Sequence, residues 1–202
     1  MSEKREIRGY NGGISIENRE DAPPMITGYA AVYNSDSVDL GYFTEVIRPG
    51  AFQRAISERQ DVRALLDHDS GKIIARTKAG NLTLSEDNTG LRVQLAPIDT
   101  PDGKAAIEWV RSGVVDGFSF GFETISDRWS TRDGKNYREL LDVNLFEVSL
   151  VAFPAYPGTS VGIRSEDSEA VQRVWAQREA EIAKVEQMMA SRRRRLRLAS
   201  LG

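Results

Sequence analysis

Apolar and polar residues alternate through the middle of the chain with the two-residue period of β-strands. The clearest case is residues 115–123, where Phe118, Phe120 and Phe122 alternate with small or polar residues, among them Ser119. In a strand this spacing places the three rings on one face and the serine hydroxyl on the other. The pattern therefore predicts a strand that buries its phenylalanines and presents its serine on the opposite face.

Further strands are predicted where short β-branched or alternating runs end in turn residues. These runs are 26–33, 43–47, 62–68, 82–85, 91–95, 128–131, 136–140 and 145–153. Residues 86–90 and Asp133-Gly134 have the composition of hairpin turns, and residues 72–76 are assigned to a loop. Helices are predicted at about 51–59 and after Thr100, which caps a helix beginning with Pro101. Many strands and few helices favour a mainly β fold, an antiparallel barrel or sandwich with helices packed outside.

Changes in composition divide the chain into three segments. Residues 1–24 are a polar, partly mobile lead-in, and residues 25–164 form the strand-rich domain. From residue 165 to 202, apolar residues recur at spacings of three, four and seven among Glu, Gln, Ala and Arg, which predicts an amphipathic helical tail with a narrow apolar seam. A terminal helix docked on the domain is the ordinary interpretation. The narrow seam is more typical of an interaction helix, whose partner would be another copy of this chain or a scaffold.

Charge and residue usage exclude several classes of function. Five of the 27 Lys and Arg residues lie at 192–195 and 197, which leaves 22 basic against 30 acidic side chains elsewhere. The body of the protein therefore repels nucleic acid, and nucleic-acid binding through the arginine cluster alone is a weak alternative. No apolar run reaches the roughly 18 residues of a membrane span, and neither export nor anchoring is expected. With no Cys and one His, we expect no metal site, no thiol chemistry and no cofactor.

Three residues have the chemistry of an acyl-transfer site. His68 is the single imidazole and follows an apolar run, Glu147 is a lone charge in an apolar run, and Ser119 lies in the phenylalanine strand. Each has a more ordinary interpretation taken singly. A histidine between two aspartates is commonly a surface loop residue, a buried glutamate commonly pairs with an arginine, and a serine commonly fits a crowded strand.

An ordered set of motifs resembles the prohead proteases of tailed bacteriophages, a family related in fold to the herpesvirus assemblins. The motifs are Gly28-Tyr29-Ala30-Ala31-Val32-Tyr33, Pro49-Gly50-Ala51-Phe52, His68, Phe118-Ser119-Phe120-Gly121-Phe122 and Glu147-Val148-Ser149-Leu150-Val151. The resemblance runs from about residue 26 to 163. It implies an antiparallel β-barrel of the assemblin type, with the helical tail beyond it.

The resemblance also implies the roles of the residues. Ser119 would be the nucleophile, His68 the general base and then acid, and Glu147 the group that orients the imidazole. Assemblins use a second histidine for that last role, and this chain has none. By analogy, backbone N–H groups near Ala155 and Tyr156 would form the oxyanion hole.

The function implied is a serine endopeptidase acting without a cofactor in the host cytoplasm, inside the assembling procapsid. Its substrates would be the scaffolding part of the major capsid protein and the protease itself, which could also form a homo-oligomer. The alternative is a non-catalytic scaffold or capsid-interaction protein that acts through its C-terminal helix.

Overall fold

The structure, a computed structural model, describes residues 5–10, 13–19, 22–38, 40 and 43–152. These residues form ten strands, two α-helices and a short 3₁₀ helix, Thr77–Ala79. The strands are β1 (Glu6–Tyr10), β2 (Ser15–Arg19), β3 (Ala22–Val32), β4 (Phe43–Ile47), β5 (Arg63–Leu66), β6 (Asp69–Arg76), β7 (Leu82–Glu86), β8 (Gly90–Leu95), β9 (Gly117–Arg132) and β10 (Lys135–Val151). The helices are α1 (Gln53–Ser57) and α2 (Pro101–Arg111).

The larger sheet is built around β9 and β10, two long antiparallel strands joined at Asp133 and Gly134. Both turn residues have positive φ, 50° and 78°, as expected of a tight hairpin. The strand order is β1-β9-β10-β5-β6, and β4 also pairs with β10. Both β4 and β5 run parallel to β10, along different parts of its length. Among the described strands, β1 lies at one edge of this sheet, beside β9.

The smaller sheet, of order β2-β3-β8-β7, shares one core with the larger sheet. Phe118, Phe120 and Phe122 are each 0% exposed, which confirms the predicted burial of this face of β9. Phe52 meets Phe120 edge to face, with ring centroids 5.3 Å apart, a favourable aromatic geometry. Gly28 of β3 lies against the ring of Phe118, since a Cβ at Gly28 would come within 3.0 Å of that ring. The phenylalanine face therefore packs the two sheets together.

The mainly β architecture with few helices is confirmed, whereas the closed antiparallel barrel is not found. The described strands form two sheets, and the larger one is mixed because β4 and β5 run parallel to β10. Residues 72–76, assigned to a loop from the sequence, belong to β6. Helix α2 begins at Pro101, and Thr100 Oγ1 caps it by accepting from the N–H of Gly103, as predicted.

Residues assigned to a polar lead-in contribute to both sheets: β1 and β2 lie within residues 1–24, and β3 begins there. The predicted tail, residues 165–202, lies outside the described residues. Within the described part of the chain, neither helix is long and apolar enough to cross a membrane.

Candidate active site

The register between β9 and β10 brings two of the predicted residues onto one sheet face. Ser119 lies opposite Ser149, and Gly121 lies opposite Glu147. Directly opposed residues of antiparallel strands place their side chains on the same face, and so do residues two apart on one strand. Ser119 and Glu147 therefore share the face opposite the buried phenylalanines.

His68 reaches this face from the turn between β5 and β6. Asp67 and His68 form the two-residue connection, with φ of 50° and 59°, the left-handed pair that a tight hairpin requires. The N–H of Asp67 donates to the carbonyl oxygen of Leu150, 2.9 Å away, which fixes the turn to β10. The imidazole Nδ1 lies 2.7 Å from Glu147 Oε1. The sequence predicted a strand that ends at His68, whereas the strand in the structure ends at Leu66.

The carboxylate of Glu147 is held from two sides. Its second oxygen, Oε2, accepts a hydrogen bond of 2.5 Å from Ser149 Oγ, whose residue is fully buried. On the neighbouring strand, a Cβ at position 121 would lie 2.5 Å from Glu147 Oε1. Gly121 therefore leaves the space in which the carboxylate meets His68.

This pairing suits the imidazole to proton transfer. A neutral ring that donates Nδ1–H to a carboxylate leaves Nε2 as its acceptor. The side chains of His68 and Glu147 are 24% and 15% exposed, which leaves the pair partly shielded from water. The nearby Asp69 is engaged elsewhere. The N–H of Gly71 and the ammonium of Lys72 contact its carboxylate and lower the pKa of that group.

Ser119 is the residue that the structure places differently from expectation. It is 2% exposed and therefore buried. Its hydroxyl donates to the carbonyl oxygen of Arg8 in β1, at 2.7 Å. No hydrogen bond joins Ser119 to His68 in the described part of the chain. The structure thus contains a formed His68–Glu147 pair, and a serine on the same sheet face whose proton is donated elsewhere.

Three parts of the candidate site were not identified from the sequence: Ser149, Gly121 and the main chain of β1. Ser149 lies two residues after Glu147, so their shared face was readable from strand periodicity. The roles of Gly121 and β1 depend on cross-strand register, which a single sequence does not display. The predicted oxyanion donors at Ala155 and Tyr156 lie outside the described residues. Among the described residues, no cluster of three acidic or histidine side chains is suited to a metal ion.

Comparison with known proteins gives two findings. A family model described as caudovirus prohead serine protease matches residues 13–174. Among solved structures, the capsid assembly protease gp21 of bacteriophage T4 is similar, with a TM-score of 0.52 at 13% identity, covering 73% of this chain and 96% of that chain. At this identity the structural likeness concerns the fold. A search of curated proteins returned no match.

Proposed function

Because the chain belongs to the caudovirus prohead serine protease family and has a protease role in capsid maturation, we propose that it cleaves peptide bonds with a Ser119–His68–Glu147 triad. The observation that carries this assignment is the 2.7 Å contact between His68 Nδ1 and Glu147 Oε1. This contact lies on the same face of the β9–β10 pair as Ser119. An imidazole oriented by a carboxylate beside a serine is the arrangement that acyl transfer requires.

In the proposed reaction, the Ser119 hydroxyl turns from the Arg8 carbonyl toward His68 and attacks the substrate carbonyl carbon. His68 Nε2 takes the serine proton and then gives it to the leaving amine. Glu147 holds the imidazole and stabilises its cation, and Ser149 keeps the carboxylate in position. Water, with His68 again as base, then hydrolyses the acyl-enzyme. The backbone N–H groups of Ala155 and Tyr156 remain our candidates for the oxyanion hole.

The proposed substrates are the scaffolding part of the major capsid protein and the protease itself, inside the assembling procapsid. Family membership supports this choice. A protease enclosed with many copies of its substrate works at high effective concentration, so weak intrinsic affinity is sufficient. An extended substrate segment also suits a site built beside a sheet edge.

The test is a cleavage assay with the capsid protein encoded with this protease, followed by mass measurement of both chains. Ser119→Ala should remain folded and lose cleavage, because the nucleophile is gone. Ser126→Ala is the matched control, since it removes a hydroxyl from an exposed position on the same strand. Full cleavage by folded Ser119→Ala would exclude the serine mechanism. Absence of cleavage by the wild-type protein at every stage of assembly would favour the scaffold alternative.

A further inference from the structure

Strand β1 lies along the edge of β9 at the position of the proposed nucleophile. Their antiparallel register pairs Glu6 with Phe122 and Tyr10 with Phe118, and it puts Gly9 directly opposite Ser119. The Ser119 hydroxyl donates to the carbonyl oxygen of Arg8, the residue before Gly9. The Arg8–Gly9 peptide unit therefore occupies the immediate surroundings of the serine.

This contact is unsuited to acyl transfer. Attack requires the serine oxygen to approach a carbonyl carbon while its proton passes to the base. Here the serine proton is donated to a carbonyl oxygen instead, and it is not shared with His68. The geometry is that of a stable side-chain to main-chain hydrogen bond, which a buried hydroxyl needs.

Ionic contacts from β1 hold the strand in place. The Arg8 guanidinium contacts Glu45 on β4, with Nε 2.8 Å from Oε1. The Glu6 carboxylate accepts from Arg138 on β10, with Nη1 2.7 Å from Oε2, and from Thr124 on β9. Glu45 is 0% exposed, so these contacts operate where water screens them poorly. They attach β1 to three neighbouring strands by side chains as well as by its main chain.

The edge of β9 is also where an extended peptide would add to the sheet. A peptide that binds by strand addition uses the free N–H and C=O groups of an edge strand. Along Phe118–Phe122 those groups face β1, and on the other side β9 is paired with β10. A second peptide cannot pair with this stretch of β9 while β1 occupies it.

We propose that β1 is an internal cover strand, which occupies the substrate-pairing edge of β9 and sequesters Ser119 until it is released. The inference rests on the proposed role of Ser119 as nucleophile. In this state the protease is folded but restrained. Release of β1 frees both the edge of β9 and the serine hydroxyl, and an extended capsid segment takes its place.

The test uses the full chain and a fluorophosphonate probe, which reacts with accessible nucleophilic serines and needs no capsid protein. Glu6→Ala removes the carboxylate that ties β1 to Arg138, and we expect Ser119 to be labelled about tenfold faster, the size expected from loss of charged hydrogen bonds. Glu17→Ala is the matched control, because Glu17 is an exposed acid on β2 of the other sheet. It should leave the labelling rate unchanged. The labelled residue is identified by mass spectrometry.

A second measurement needs no substitution. Amide hydrogen exchange of residues 6–10 in the wild-type protein reports how often β1 leaves β9. Labelling of Ser119 faster than this opening would overturn the proposal, and so would equal labelling rates in wild type and Glu6→Ala. If Glu6→Ala does not fold, Glu6→Gln provides the comparison with a side chain of the same size.

The two proposals fail in different ways. Labelling of Ser119 at a rate independent of β1 preserves the nucleophile and excludes the cover strand. If hydrogen exchange shows that β1 has been released and Ser119 still remains unlabelled, Ser119 is not the nucleophile. The proposed function and the inference then fail together.

Discussion

The sequence singles out Glu147 as a charge that needs a partner, and the structure shows which residues contact it. Its isolation in an apolar run indicated that its charge must be partnered, and His68 and Ser149 are those partners. Both carboxylate oxygens are engaged, which fixes the plane of the carboxyl group. A carboxylate fixed in this way orients the imidazole more firmly than one held at a single atom.

Glu147→Gln should lower kcat on the order of 10²- to 10⁴-fold while the fold is retained, because the amide has no charge to stabilise the imidazolium. Steady-state cleavage of a capsid peptide measures the effect. Glu123→Gln on β9 is the control for a neutral replacement near the site. Our assignment of the acid is wrong if Asp67→Asn or Asp69→Asn lowers kcat to this extent and Glu147→Gln does not.

Gly121→Ala tests the space reserved for the carboxylate. The added methyl would lie 2.5 Å from Glu147 Oε1, so the carboxylate must move away from His68. Displacement of a catalytic group by about 1 Å can cost about 10²-fold in rate. We therefore expect a loss in kcat with little change in KM.

The control for Gly121→Ala is Gly71→Ala on β6. There the new methyl would approach Asp69 Oδ1 at 3.2 Å, the end of an exposed side chain that can move. Equal activity in wild type and Gly121→Ala would show that the carboxylate position seen here is not the catalytic one.

The sequence identified the residue types of the site because their patterns are local. Phe118, Ser119 and Phe120 show a period of two, and Glu147 contrasts with its apolar neighbours. The serine was expected to be presented to solvent, yet it is buried. Strand periodicity separates the two faces of a sheet but does not tell what lies beside a strand in the same sheet. The contact with Arg8 joins residues 111 positions apart, beyond any local pattern.

At the scale of elements, β9 and β10 are each one long strand, where the sequence suggested two shorter strands in each. Asp142 lies in β10 between the two strands predicted there, and it is paired with Arg54, whose Nε lies 2.8 Å from Oδ2. Arg138, also on β10, is paired with Glu6 and Glu45. Polar residues inside a strand are accommodated when other elements neutralise them. Those partners lie far away in sequence, so the continuity of the strand could not be predicted.

The attachment of β1 should weaken in acid. Burial raises the pKa of Glu6, but hydrogen bonds and charge from Arg138, with Thr124 and Arg8, outweigh it and hold that pKa below the ordinary 4.5. The unfolded chain therefore takes up this proton at higher pH than the native protein. The stability contributed by Glu6 is present above about pH 4.5 and is lost as pH falls through the native pKa.

Urea unfolding at pH 6 and at pH 3.5 measures this effect. Besides Arg8 and Arg138, the charged groups around Glu6 are the acids Glu45 on β4 and Asp127 on β9, both paired with Arg138. Comparison with Glu6→Gln isolates the contribution of Glu6 from theirs, since the variant keeps both other acids. The variant should lose less free energy of unfolding between the two pH values than wild type. An equal loss in both proteins would contradict a role for Glu6 in the acid response.

At the scale of the whole molecule, the mainly β class was predictable from strand periodicity and from the small number of helical patterns. The mixed sheet was not. Parallel pairing of β4 and β5 with β10 joins strands separated by long stretches of chain, and hairpin signals report antiparallel neighbours alone. The family resemblance placed the chain in the correct fold class. The expected closed barrel is not found, because the strands of the described residues form two sheets and β1 and β6 end the order of the larger one without pairing with each other.

Glu45 connects three strands of that sheet, β1, β4 and β10. It is 0% exposed on β4, and its two oxygens contact Arg8 on β1 and Arg138 on β10. Burial lowers the pKa of Arg138, but the acids Glu6, Glu45 and Asp127 outweigh this effect and raise that pKa above its ordinary value. Removal of one member leaves buried charge uncompensated, which is more costly than loss of an exposed pair.

Glu45→Ala should therefore lower the free energy of unfolding by about 3–5 kcal/mol, measured by urea denaturation at neutral pH. The matched control is Glu108→Ala, which breaks the exposed pair of Glu108 with Arg111 on α2 and should cost less than about 1 kcal/mol. Because Glu45 restrains β1 through Arg8, the folded fraction of Glu45→Ala should also show faster amide exchange in residues 6–10. Similar losses in the two variants would mean that the buried cluster contributes no more to stability than a surface ion pair.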